Sequence, residues 1–106
     1  MRIAIVETGI PPADLPTRHG DYPVMMERML APLSPKLEFV TCRLSSGERL
    51  PSVGDFDGLL ITGSPAGAYD GHDWIAPLED LIRASAVAGR PQVGICFGHQ
   101  IMAQAF

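Results

Sequence analysis

Gly94-Ile95-Cys96-Phe97-Gly98-His99-Gln100 sets a cysteine between two glycines at the end of a short apolar run, Val93 to Ile95. A helix-like segment, Gln100 to Phe106, follows. Strand, sharp turn and helix are the parts of a nucleophile elbow, in which a tight turn lifts one reactive side chain above the strand ends. Small residues flank such a turn because a side chain there would collide with neighbouring backbone. A cysteine beside a helix N-terminus is biased towards thiolate by the dipole and the free N–H groups. The spacing therefore points to covalent catalysis by Cys96. The plainer alternative is a buried structural cysteine, since free Cys is among the most buried residue types.

A second segment bears on the choice. Leu59-Leu60-Ile61-Thr62-Gly63-Ser64-Pro65 is an apolar run that ends in small residues and a proline, and Ala66-Gly67-Ala68-Tyr69-Asp70 follows it. Together the two segments resemble the class I glutamine amidotransferases, the Cys-His-Glu family. The elbow of that family reads Gly-x-Cys-x-Gly-x-Gln, matched by Gly94, Cys96, Gly98 and Gln100. Its oxyanion strand ends in Gly-Gly-Pro or a close variant, and Ser64 stands here at the middle position. The run from Gly63 to Asp70 is most similar to the stand-alone branch related to the amidotransferase domain of GMP synthetase.

The resemblance implies a reaction and roles. The Cys96 thiolate attacks the side-chain amide carbon of glutamine, ammonia leaves, and water hydrolyses the γ-glutamyl thioester. The oxyanion hole needs two backbone N–H donors. One is expected from Phe97, the residue after the nucleophile. The family puts the other before the proline, hence at Ser64, with Gly63 letting the backbone reach it. Gln100 matches the glutamine that helps hold the substrate. The ammonia would pass to an acceptor or a synthase partner.

The general base has no match. The family carries its His and Glu together near the end of a domain about twice this long, so the resemblance covers the N-terminal half. His19, His72 and His99 are none of them followed two residues later by Glu. His99 lies three residues from Cys96, but an elbow throws its nucleophile away from the following helix. Two rival readings stand beside the first. A γ-glutamyl hydrolase of related fold shares the elbow but tends to carry Arg where this chain has Phe97. An inactive, truncated relative acting as a binding or assembly module fits the missing His and Glu.

The elements that must position these residues follow from pattern. Ile3 to Glu7 is a nearly continuous apolar run, as for a strand buried on both faces of a parallel sheet. Thr8 to Asp21 reads as a loop. Asp21-Tyr22-Pro23 opens a helix to about Leu33, with Val24, Met25, Met29 and Leu33 as its inward stripe and Pro32 and Pro35 ending it. Leu37 to Leu44 and Gly58 to Thr62 are the second and third strands, joined by the turn-rich stretch Ser45 to Asp57. After the loop Gly63 to Asp73, a helix spans about Trp74 to Ala88. Its regular part is expected after Pro77, and Gly89 sits at the C-terminal cap. Gln92 to Ile95 is the fourth strand. The alternation predicts an α/β fold, a flavodoxin-like parallel sheet with helices on both faces, read as one domain over residues 1–106.

Composition bounds the rest. The 106 residues are 46% hydrophobic and 19% charged, with a formal net charge of −4. No basic stripe suggests nucleic acid, and no apolar run is long enough to span a bilayer. Two cysteines, one assigned to chemistry, make a disulfide with Cys42 unexpected and suit a reducing cytoplasm. Cys42 reads as a small strand hydrophobe, and Met25, Met26 and Met29 as helix packing. Asp55, Asp57, Asp70 and Asp73 sit among turn signals and read as turn formers and caps. With no calcium loop, no Cys-x-x-Cys pair and no P-loop lysine, neither a metal nor a cofactor is expected. The fourth strand, Val93-Gly94-Ile95, carries no charge or proline, so as an edge it would be unprotected. Self-association through an incomplete sheet is the corresponding expectation.

Overall fold

The computed structural model describes residues 1–9, 22–62, 73–95 and 97–106. Four strands are present: β1 (Arg2–Glu7), β2 (Glu38–Arg43), β3 (Gly58–Ile61) and β4 (Gln92–Gly94). Three α-helices join them: α1 (Tyr22–Leu30), α2 (Ile75–Val87) and α3 (Phe97–Ala105). The strands form one parallel sheet in the order β2-β1-β3-β4. The expected α/β, flavodoxin-like architecture is therefore what the chain adopts.

Strand parity sorts the side chains. Ala4 and Val6 of β1, and Leu59 and Ile61 of β3, pack with Cys42 and Leu44 against Ile75, Leu78, Leu81 and Ile82 of α2 and Ile101 and Ala105 of α3. The opposite parity, Ile3, Leu60 and Val93, faces Met26, Met29 and Leu30 of α1 across an apolar groove. Helices thus cover both faces, which is why β1 and β3 read as unbroken apolar runs rather than alternating ones.

Helix α2 ends where its glycine predicts. Gly89 has φ +72°. Its N–H donates to the Ala86 carbonyl at 3.1 Å, and the Arg90 N–H donates to the Ser85 carbonyl at 2.9 Å. This is a Schellman motif, and the left-handed residue at its centre is a position that glycine fills without a Cβ penalty. The start of the helix corrects the expectation. It begins at Ile75, so Pro77 lies inside the first turn, where backbone N–H groups lack intrahelical acceptors in any case.

Two further boundaries differ. Helix α1 stops at Leu30, and a 3₁₀ turn, Ala31–Leu33, follows with Pro32 in it. That turn swings Leu33 outward, and Met29 sits at the rim of the groove; both are exposed and neither joins an inward stripe. The last helix begins at Phe97, three residues before the expected Gln100. Among the aspartates, Asp55 forms a reciprocal capping box with Ser52, and the Asp57 carboxylate accepts the Arg2 N–H at 2.7 Å. Asp55 thus has the capping role expected, whereas Asp57 is neither a turn former nor a cap and instead ties the start of β1 across 55 positions of chain. Asp70 lies outside the described residues.

Candidate active site

In an open parallel sheet, ligands bind beyond the carboxyl ends of the strands, where the strand order reverses direction. Here the chain runs from β1 outward to β2 on one side and to β3 and β4 on the other, so the switch lies between β1 and β3. The residues that end these strands are Glu7 and Thr8, Thr62, and Ile95.

The elbow segment belongs to this edge. The Ile95 N–H donates to the Ile61 carbonyl at 3.0 Å, extending the β3–β4 ladder by one rung. Helix α3 then starts at Phe97, leaving only positions 95 and 96 between strand and helix. A nucleophile elbow needs a connection this short between strand and helix. Ile101 and Ala105, both buried, anchor α3 against α2. Cys96, the predicted nucleophile, lies outside the described residues, as do Gly63 and Ser64 of the predicted oxyanion turn. Phe97 and Gln100 are placed in the first turn of α3 by their backbone.

Three sets of polar contacts tie the strand ends together. Between β1 and β2, the Ser45 hydroxyl donates a hydrogen bond to the Glu7 carboxylate. Ser45 is presented by a 3₁₀ turn, Leu44–Ser46, that closes on Gly47 at φ +88°. Between β1 and β3, the Thr62 N–H donates to the Val6 carbonyl at 3.0 Å. Beyond that rung the Thr8 hydroxyl donates to the Thr62 carbonyl at 2.9 Å, and the Thr8 N–H donates to the Thr62 hydroxyl at 3.3 Å. Between β3 and β4 stands the Ile95–Ile61 bond.

Glu7, Thr8 and Thr62 are buried polar residues that motif reasoning did not select. A signal for them exists: Glu7 and Thr62 directly follow apolar runs and Thr8 comes next after Glu7, at the carboxyl end where an α/β sheet binds its ligands.

Cys42 is buried in β2, a free thiol whose Sγ donates to the Arg49 carbonyl at 3.3 Å. Burial, reinforced by Glu48 and Glu7, pushes its thiol from 9.0 up to about 11. It is an unreactive core group, as its strand position suggested. Among the described residues no group of three or more His, Cys, Asp or Glu could hold a metal ion, and no helix is long and apolar enough to cross a membrane.

Comparison with known proteins agrees with this fold. The family model for glutamine amidotransferase class-I matches residues 21–106. Gamma-glutamyl peptidase 4 of Arabidopsis thaliana is 40% identical over 50 residues, which are 47% of this chain and 20% of the relative. A glutamine amidotransferase-like protein of Schizosaccharomyces pombe is 30% identical across 97% of this chain and 46% of its own length. The crystal structure of a glutamine amidotransferase from Methylobacillus flagellatus superposes with a TM-score of 0.76 at 26% identity, over 98% of this chain and 38% of that one. One from Thermotoga maritima gives 0.73 at 19% identity, over 99% of this chain and 42% of that one, and so shares the fold. The chain thus spans less than half the length of these relatives.

Proposed function

The chain belongs to the class-I glutamine amidotransferase family, and from that premise we propose that the protein hydrolyses the side-chain amide of L-glutamine and delivers the ammonia to an acceptor or synthase partner. Cys96 is the nucleophile. Its sulfur adds to the amide carbon, and the carbonyl oxygen takes the negative charge. The N–H groups of Phe97 and Ser64 stabilise that oxygen, with Gly63 allowing the approach, and Gln100 holds the substrate. Collapse expels ammonia, which takes up a proton as it leaves. Water then cleaves the thioester to glutamate and restores the thiol. The proton is carried by a His and Glu pair of the family type, which none of these 106 residues matches. The domain reading assigns residues 1–106 to the N-terminal half of the catalytic domain, in a cytoplasmic protein.

The observation that carries this reading is the connection between β4 and α3. Only positions 95 and 96 join them, and Ile95 is held to Ile61 at 3.0 Å. A cysteine that immediately precedes a helix N-terminus is favoured as thiolate, which supports Cys96 as the nucleophile.

A second reading is supported by the Arabidopsis relative, whose name is gamma-glutamyl peptidase. The first half of the reaction is the same, because a γ-glutamyl peptide and glutamine present the same acyl carbon to sulfur. Only the leaving group differs, an amine of a peptide in place of ammonia. The discriminating measurement offers glutamine and a γ-glutamyl dipeptide in competition and follows ammonia and free amine separately. Ammonia release that disappears in Cys96→Ser supports the glutaminase. Amine release alone, equally dependent on Cys96, supports the peptidase. Turnover of neither, in the protein at its natural length, leaves the inactive binding module.

A further inference from the structure

The Thr8–Thr62 contact is not a continuation of the sheet. In a parallel ladder, the rung after Thr62 N–H to Val6 carbonyl would join the Thr8 N–H to the Thr62 carbonyl. Two hydroxyl-mediated bonds stand in its place: Thr8 Oγ1 to the Thr62 carbonyl at 2.9 Å, and Thr8 N–H to Thr62 Oγ1 at 3.3 Å. An interposed hydroxyl holds two strands farther apart than a direct amide–carbonyl bond does. The ladder therefore opens at the switch point, and it opens under control, since both residues are almost wholly buried and their hydroxyls are committed to each other's backbone.

The consequence falls on the next residue along the chain. With its N–H held by Val6, and its carbonyl and hydroxyl by Thr8, Thr62 is fixed to β1 at three polar atoms. The preceding residue, Ile61, holds Ile95 through its carbonyl. One hydrogen-bonded path thus runs from Thr8 through the end of β3 to the residue before position 96. Thr62, the last described residue before Gly63, and Ile95, the last before position 96, both lie on that path.

We propose that Thr8 is a positioning residue: its hydroxyl sets the end of β3 so that the turn after Thr62 meets the oxyanion formed at Cys96. This rests on the covalent mechanism above and holds for either leaving group, since both substrates pass through the same tetrahedral oxyanion. Thr8 does not touch substrate; it acts through Thr62.

The test uses the protein at its natural length and whichever Cys96-dependent turnover it shows, with Thr8→Val and Thr8→Ser as variants. Valine preserves volume and removes the donor; serine preserves the donor. Two rates are compared: kcat, and alkylation of Cys96 by iodoacetamide, a displacement at carbon that forms no oxyanion. Displacement of one oxyanion donor, short of its removal, is expected to lower kcat by roughly tenfold or more. Thr8→Val should show that loss with KM and the alkylation rate within about twofold of wild type, and Thr8→Ser should recover most of kcat. A kcat retained within twofold in Thr8→Val overturns the proposal. So does a parallel fall of kcat and alkylation rate, which would mark a general structural defect. A wild-type protein without Cys96-dependent turnover overturns the mechanism itself, and is told apart because it appears before any variant is made.

Discussion

The Cys42 thiol donates to the Arg49 carbonyl at 3.3 Å from a position buried in β2. That contact and the raised thiol, about 11, keep Cys42 protonated and shielded at neutral pH. The two cysteines of this chain should therefore separate completely in reactivity. A glutamine-mimicking diazoketone is expected to label Cys96 and spare Cys42 in the folded protein at its natural length. Peptide mapping after labelling is the measurement, and equal modification of both cysteines would contradict the elbow assignment.

Burial of Cys42 also sets a pH dependence. The folded thiol titrates near 11 and the unfolded one near 9.0. Below 9.0 both states hold the proton and the contribution to stability is intact. Between 9.0 and 11 the unfolded chain releases a proton that the folded chain retains, so stability falls, by about 2 to 3 kcal/mol across the window. Above 11 the loss is complete. Denaturant titrations of wild type and Cys42→Ala at a series of pH values should converge through that window. Curves that stay parallel from pH 8 to 11 would show that the thiol is not held as described.

Glu7 and Ser45 form an asymmetric pair. The carboxyl group of Glu7 is buried, whereas Ser45 belongs to an exposed turn. Removing the serine deprives a buried acceptor of its donor, while removing the glutamate returns a hydroxyl to water. Ser45→Ala is expected to cost about 1–3 kcal/mol. The same change made on a Glu7→Gln background should cost less, because an amide left without that donor is cheaper to bury than a carboxylate. Urea unfolding of the four proteins in the cycle measures the coupling, and additive effects would deny the pair any energetic link.

What could be read from the sequence, and what could not, divides along the range of the interactions. β1 and β3 are legible because residues buried on both faces need no alternation, and Gly89 because a single left-handed residue ends α2. The start of α3 was read too late. Gly98 weakens helix propensity locally, but packing of Ile101 and Ala105 against α2 outweighs that penalty and carries the helix back to Phe97. The inward expectation for Leu33 fails because periodicity cannot see that the helix ends at Leu30, and Met29, though on the groove side, stays exposed at its rim. The Gly-x-Cys-x-Gly-x-Gln pattern was visible as a motif. The hydroxyl pair behind it was not, since Thr8 and Thr62 meet across 54 positions of chain.

The last prediction concerns the free side of β4. Among the described residues β4 pairs with β3 alone. On one face of the sheet beside it lies an apolar groove of about 310 Å³, lined by Leu60, Val93 and Ile95 and by Met26, Met29 and Leu30 of α1. On the other face Gly94, Met102, Ala103 and Phe106 line a smaller hollow. Val93 is 57% exposed and Phe106 71%. An apolar stripe thus wraps the strand, and no charge on β4 blunts it against pairing. Prepared as a separate polypeptide, these 106 residues should self-associate through this stripe, a second copy covering Val93. Val93→Lys places a charge at the centre of the contact and should shift the molecule towards monomer, since like charges would then face each other across it. Sedimentation velocity at micromolar concentration, on wild type and variant, reads the outcome. A wild-type polypeptide that sediments as a monomer and melts cooperatively would show that four strands and three helices need no further cover.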